Sequence, residues 1–230
     1  VDQLNGIVTS LLPDWIGSSW VLRETSNPAS IFRAVLQGVG NKRPIPDSRV
    51  DLVKLQEWHE YCEEEGLEFN MIRDFTATVW DTLSDIGAVA FAAPSQTDGK
   101  WGVVIDKEQA TPIQHFTPRN SFDFSLEHFY LDAPHAWRIR FVNAAQDYKQ
   151  DERIVYADGY SSLNATKFEQ LNLVGITGAG QIWKVGRRRI AEGSTRTERY
   201  SFKVDFENLI CTRGDLILIT HDVISTGLAS

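Results

Sequence analysis

Apolar and polar positions repeat with two different periods along the chain. Through the first half the period is close to that of a helix. Asn27-Pro28 has the form of an N-cap followed by proline at the first helical position. Ile31, Val35 and Leu36 then give that helix an apolar stripe. Asn41 to Pro46 reads as a turn region. Ser48, with Asp51 three residues on, resembles a capping box for a second helix. That helix repeats Leu52, Leu55, His59 and Cys62, and Gly66 stands where a left-handed residue would end it. Thr76 is placed to cap a third helix carrying Val79, Leu83 and Ile86 on one face. Short strands are expected at Trp20–Arg23 and at Leu67–Ile72. Ala88–Ala92 and Trp101–Ile105 are expected to pair as a hairpin around Asp98-Gly99, a dipeptide suited to a tight turn.

In the second half the period falls to two. Phe122, Phe124, Leu126, His128 and Tyr130 alternate with polar neighbours, as do Trp137, Ile139 and Phe141. Phe168, Leu171 and Leu173 do so less regularly. Tyr200, Phe202, Val204 and Phe206 form the cleanest alternation. Leu216–Ile219 is a continuous apolar run, the pattern of a strand buried on both faces. One helix interrupts the series from about Ala179 to Glu192. Its inward positions are Ile182, Val185 and Ile190, with Arg187 to Arg189 mostly outward. Strands in series with one packed helix predict a curled sheet or small barrel with a helix across it.

Composition narrows the class. Of 230 residues, 42% are hydrophobic and 23% charged, which excludes a disordered or low-complexity chain. The length fits one large domain or two small ones. No apolar run approaches the ~20 residues of a membrane helix, and no signal peptide is visible. The chain starts at Val1 and stops after Gly227-Leu-Ala-Ser, so a piece of a longer polypeptide is expected. Residues 1–110 hold 17 acids and 9 bases, whereas residues 111–230 hold 14 of each. The shift falls at Thr111-Pro-Ile-Gln-His-Phe-Thr-Pro118, where the two prolines favour extended backbone. A domain boundary is expected there.

Candidate chemistry adds little. His59-x-x-Cys62 could set two metal ligands on one helix face, but no second pair follows, and an ordinary helix face is the better reading. Cys62 and Cys211 are too few for a disulfide framework and read as buried thiols. A nucleophilic Cys62 would need an electropositive setting, and Glu63-Glu64-Glu65 supplies the opposite. Glu57, Glu60, Glu63, Glu64 and Glu65 read as a solvated face rather than paired catalytic carboxylates. Gly175-Ile-Thr-Gly178-Ala-Gly180 meets a dinucleotide fingerprint only in part, because Trp183 stands at its third glycine position; an ordinary strand-to-helix turn is expected. Arg187, Arg188 and Arg189, with Lys184, Arg196 and Arg199, form the basic cluster. In an acidic protein with pI near 5.1 they are expected to pair with neighbouring acids, not with nucleic acid. Arg138 and Arg140 read as the solvent face of a strand. The five histidines are scattered, and no nucleophile elbow, zinc-protease or triad motif is present. The sequence therefore assigns no catalytic, cofactor-binding or metal-ligating residue, and leaves the binding residues open.

The order of motifs in the second half carries a resemblance. Trp137-Arg-Ile-Arg-Phe-Val-Asn143 is followed by Asp147-Tyr-Lys-Gln-Asp-Glu-Arg-Ile-Val155, then by Leu171-Asn-Leu-Val-Gly-Ile-Thr177. The helix Gln181 to Ala191 comes next, then Tyr200-Ser-Phe-Lys-Val204 and Arg213-Gly-Asp-Leu-Ile217. This series resembles the tail tip attachment, or host-specificity, proteins of lambda-like siphophages and related prophages. Phe69 to Asp106 and Thr117-Pro-Arg-Asn120 are similar to the domain before it in that family. Arg213 stands where the family usually has proline.

The resemblance implies an α+β protein: a tail at residues 1–18, a small α/β domain at 19–110, and a β-rich, tail-tube-like barrel domain at 111–230 with one packed helix. It implies a structural virion component of the tail tip, or baseplate hub, that closes the tail tube and carries receptor-binding parts. It implies no cofactor and no active-site residue. Its partners would be other tail proteins, with a homotrimer for the full-length protein and DNA only in passage. This piece alone is expected to be a monomer or weak oligomer, made in the host cytoplasm and ending at the virion tail tip. An acidic first half facing a channel would repel DNA and keep it mobile. Two rival classes remain: a carbohydrate-binding module, motivated by seven tryptophans, and a cell-wall glycan hydrolase using Glu57 to Glu65.

Overall fold

The computed structural model describes residues 6–130, 132–206 and 209–221. The chain divides into two compact units. Unit 1 runs to Ile105 and includes Pro134–Arg188; unit 2 comprises Asp106–Ala133 and the chain from Arg189 onward.

Unit 1 opens with an antiparallel hairpin, β1 (Leu11–Trp15) and β2 (Trp20–Glu24). The expectation of an N-terminal tail had passed over β1. Three helices follow: α1 (Pro28–Gln37), α2 (Leu52–Glu65) and α3 (Val79–Val89). The start of α1 is as its sequence predicts, with Asn27 accepting from the Ala29 amide at 3.0 Å and Pro28 in the first turn. Its buried residues are Pro28, Ala29, Ser30, Phe32 and Leu36; Ile31 and Val35 lie at the margin. Gly66 ends α2 in the left-handed region, at φ 62°. Two caps differ from expectation. Asp51 itself caps α2, accepting from the Lys54 amide at 3.1 Å, because residues 47–49 form a separate 3-10 turn. Thr78, not Thr76, caps α3, accepting from the Asp81 amide at 3.0 Å.

The hairpin at Asp98-Gly99 is present, with φ 51° and 75° at those two residues. Its strands are β3 (Ala92–Thr97) and β4 (Lys100–Ile105). Residues 88 and 89 belong to α3 instead. Leu67–Ile72 is not a strand. Its alternate burial at Leu67 and Phe69 imitates one, but its backbone makes single hydrogen bonds to Ser26 and Gly175 rather than a ladder. The trio β7 (Ala136–Asn143), β8 (Lys149–Tyr156) and β9 (Phe168–Asn172) completes the unit, with β7 central, antiparallel to β8 and parallel to β9. On it lies the first part of α4 (Ala179–Thr195), which buries Ile182 and Val185. Gly186 permits the approach: a Cβ there would stand 2.8 Å from Val155 Cγ2 and 2.9 Å from Ile139 Cδ1.

Unit 2 contains β5 (Gln114–Phe116) parallel to β11 (Ile217–Ile219), and β6 (Phe122–His128) antiparallel to β10 (Glu198–Lys203). Strands form at β6 and β10, with Leu126 directly opposite Tyr200, but only β10 alternates in burial, at Tyr200 and Phe202; in β6 only Phe124 is sheltered, and Tyr130, Val204 and Phe206 lie beyond the strands.

The α+β content stands, but the barrel does not. Among the described residues there are four two-stranded sheets and one of three strands, and none closes or curls strongly. Period-two segments fix where strands form, not which strands pair. Here residues 136–172 pair among themselves and pack with the helical first half, which leaves too few strands elsewhere for closure. Nor is the 216–219 run buried on both faces, since Leu216 and Leu218 are exposed.

Candidate functional site

The densest polar cluster lies under the first hairpin. Asp14, at the centre of β1, is buried. Its Oδ1 accepts from Ser30 Oγ at 2.5 Å, Thr25 Oγ1 at 2.8 Å and His59 Nε2 at 2.8 Å. Its Oδ2 lies 2.5 Å from Arg23 Nε. One carboxylate thus ties β1 to β2, to α1 and to α2. Burial by itself would raise the Asp14 carboxyl; the hydrogen bonds from Ser30, His59, Thr25 and Arg23 together outweigh it and hold the group below its ordinary value. Asn27 links the same helices by donating to the His59 carbonyl at 3.1 Å.

Asp14, His59 and Glu63 bring ligand atoms within 4.8 Å of one another, so a cation is worth testing against them. The place is already filled by charge. The Arg23 guanidinium sits 2.5 Å from Asp14 and 3.6 Å from Glu63, and a metal would have to displace it while taking His59 Nε2 from its carboxylate. The arrangement is an ion-paired latch. It is no triad either, because Ser30 and His59 share one oxygen of Asp14 rather than contacting each other through the base.

The other candidates lie apart. Cys62 is buried, and burial, then the Glu63 charge, push its thiol up. Four of the five acidic residues of α2 are engaged: Glu57 with Lys54, Glu60 with the Trp15 indole at 3.0 Å, Glu63 with Arg23 at 3.6 Å, and Glu65 with Lys184. The basic cluster is absorbed in the same way. Arg187 pairs with Asp158 at 2.7 Å, Arg188 lies over the Phe91 ring at 4.2 Å, and Arg189 pairs with Glu192. Arg187 and Arg188 are half-buried rather than outward. Arg140 faces solvent as expected, but Arg138 is half-buried and stacks on Phe168. Gly175, at φ 85°, is required by packing, since a Cβ would meet Phe69 Cε2 at 2.4 Å. Trp58 is buried in the core, and the neighbouring pairs Trp15–Trp20 and Trp80–Trp101 are tilted by 51° and 56°. These rings form no flat sugar-stacking platform. Sequence reasoning missed Asp14, Arg23, Thr25 and Ser30. The available signal was an acid at a core-facing position of a short apolar segment.

Unit 2 presents a different kind of surface. Phe116, 2% exposed, is its one buried apolar residue among those described, packed on Phe202 at 4.8 Å. Ile113, Phe122, Leu126, Phe129, Phe206 and Ile210 are exposed. Among the described residues both of its sheets have two strands, so each strand has an edge that no described strand occupies. An open sheet edge beside exposed apolar side chains is the surface of a protein that assembles with others.

Among the described residues, then, the densest polar cluster is an ion-paired latch in unit 1, and unit 2 carries exposed apolar side chains beside its sheet edges. Residues 79–229, more than half of the chain, match the family described as "Putative phage tail protein", and the chain belongs to that family. The fold is similar to that of the tail protein from Neisseria meningitidis MC58, at TM-score 0.51 and 12% identity, over 68% of this chain. The chain spans about half (49%) of that protein's length. No curated protein matches the sequence. No helix among the described residues is long and apolar enough to cross a membrane.

Proposed function

We propose that this protein is a component of the tail tip, part of the hub that closes the tail tube and carries the receptor-binding parts. The observation that supports the reading is unit 2, where exposed apolar side chains lie beside strand edges that no described strand occupies. Such a unit gains its stability in contact with neighbours. The order of motifs from Trp137 to Ile217 supports the tip in preference to other tail positions. In the whole protein the assembly is a homotrimer through which DNA passes; this chain alone is a monomer or weak oligomer. The test is to tag the gene in its phage or prophage and locate the tag on purified particles by gold labelling. Label at the distal end of the tail, with loss of host adsorption when the gene is deleted, is the expected result. Label along the tube or at the head–tail joint would overturn the reading.

A further inference from the structure

We propose that the free edge of β10 in one copy of this chain adds to the free edge of β6 in the next. This extends the sheet head to tail. The inference rests on the assembly role proposed above and names the partner as a second copy.

Charge and register select this pairing. β6 carries Asp123 and Glu127, and β10 carries Arg199 and Lys203. Within one copy these meet across the antiparallel pair, Lys203 with Asp123 at 2.7 Å and Arg199 with Glu127 at 3.8 Å. All four side chains are exposed. Each strand has a second edge that no described strand occupies. Two β6 edges brought together would oppose acid to acid, and two β10 edges base to base. Only the unlike edges attract, which disfavours a two-fold dimer and selects a head-to-tail contact. In the register already used inside the copy, an incoming Arg199 faces Glu127, and an incoming Lys203 stands opposite Phe122, one residue from Asp123 and within reach of its carboxylate, as it is inside the copy. The same register brings Tyr200 beside the exposed Leu126. Backbone hydrogen bonds supply the pairing and the charges supply its direction.

The test uses the whole chain and sedimentation velocity over a range of concentration and salt. Wild type should self-associate weakly, in the weak-oligomer range given above for this chain alone, and less so at high salt. Asp123→Lys with Glu127→Lys, and separately Arg199→Glu with Lys203→Glu, should each weaken association about tenfold or more. An equimolar mixture of the two variants should restore it, although neither has its internal ion pairs. The chain carrying all four substitutions regains the internal pairs, so it tests the idea even if the double variants unfold. It should associate with itself and be excluded from wild-type assemblies. A wild type that stays monomeric throughout, folded double variants that associate as wild type does, or a four-fold variant that mixes freely with wild type would overturn the proposal. Such a result leaves the tail-tip location, read from labelled particles, untouched.

Discussion

Replacing Asp14 with Asn keeps the side-chain volume and removes the charge on which four donors converge. The Oδ1 position can remain a carbonyl facing Ser30, Thr25 and His59, but the amide nitrogen then meets the Arg23 guanidinium, donor against donor. Hydrogen bonds to a charged group contribute about 1.5–3 kcal/mol each, and neutral ones about 1. Arg23 is half exposed and can turn toward Glu63 and water, so its share is screened. The loss worked from these contacts is about 2–4 kcal/mol, or a fall of ~5–15 °C in Tm for a chain of this size. The folded carboxyl lies below its ordinary value of 3.8. Its contribution is therefore complete above the unfolded value and is lost as pH falls through the folded one. Urea unfolding of wild type and Asp14→Asn at a series of pH values should show the full gap near neutrality, closing below about pH 4. A gap under ~0.5 kcal/mol at neutral pH, or one unchanged at acid pH, would refute the latch.

Other consequences are read from packing and caps. Gly175→Ala should destabilise by about 1–3 kcal/mol, because the residue needs a positive φ and its Cβ meets Phe69. Gly186→Ala should cost a similar ~1–3 kcal/mol by forcing α4 off Val155 and Ile139; thermal unfolding measures both. Asp51→Ala should cost about 1 kcal/mol and Ser48→Ala almost nothing, and the reverse order would restore the capping box read from sequence. In thiol labelling of the native protein, half-buried Cys211 should react well before buried Cys62. Equal rates would show that the α2 core opens freely.

Local periodicity and capping chemistry determine much of this protein by themselves. Asn27-Pro28, Gly66 and Asp98-Gly99 act through their own backbone preferences and nearest neighbours, so α1, the end of α2 and the β3–β4 turn are legible in the sequence. So are the strands β6, β7 and β10, whose alternation survives any pairing. The order of motifs was enough to point to phage tails.

What only the tertiary structure decides is partnership. Alternation at Leu67–Ile72 marks two buried side chains and cannot say that no strand lies alongside. Nothing local in Phe168–Asn172 says that it runs parallel to β7, or that this trio belongs with the helical half instead of closing a barrel. Asp14 reads as a polar interruption until Ser30 and His59, far along the chain, are brought to the same oxygen. A hydrogen bond between distant residues has no signature at either end alone. For the same reason the composition does not reveal a sheet edge: the acids of β6 and the bases of β10 acquire meaning only when the two strands lie side by side, each with a second edge that no described strand occupies.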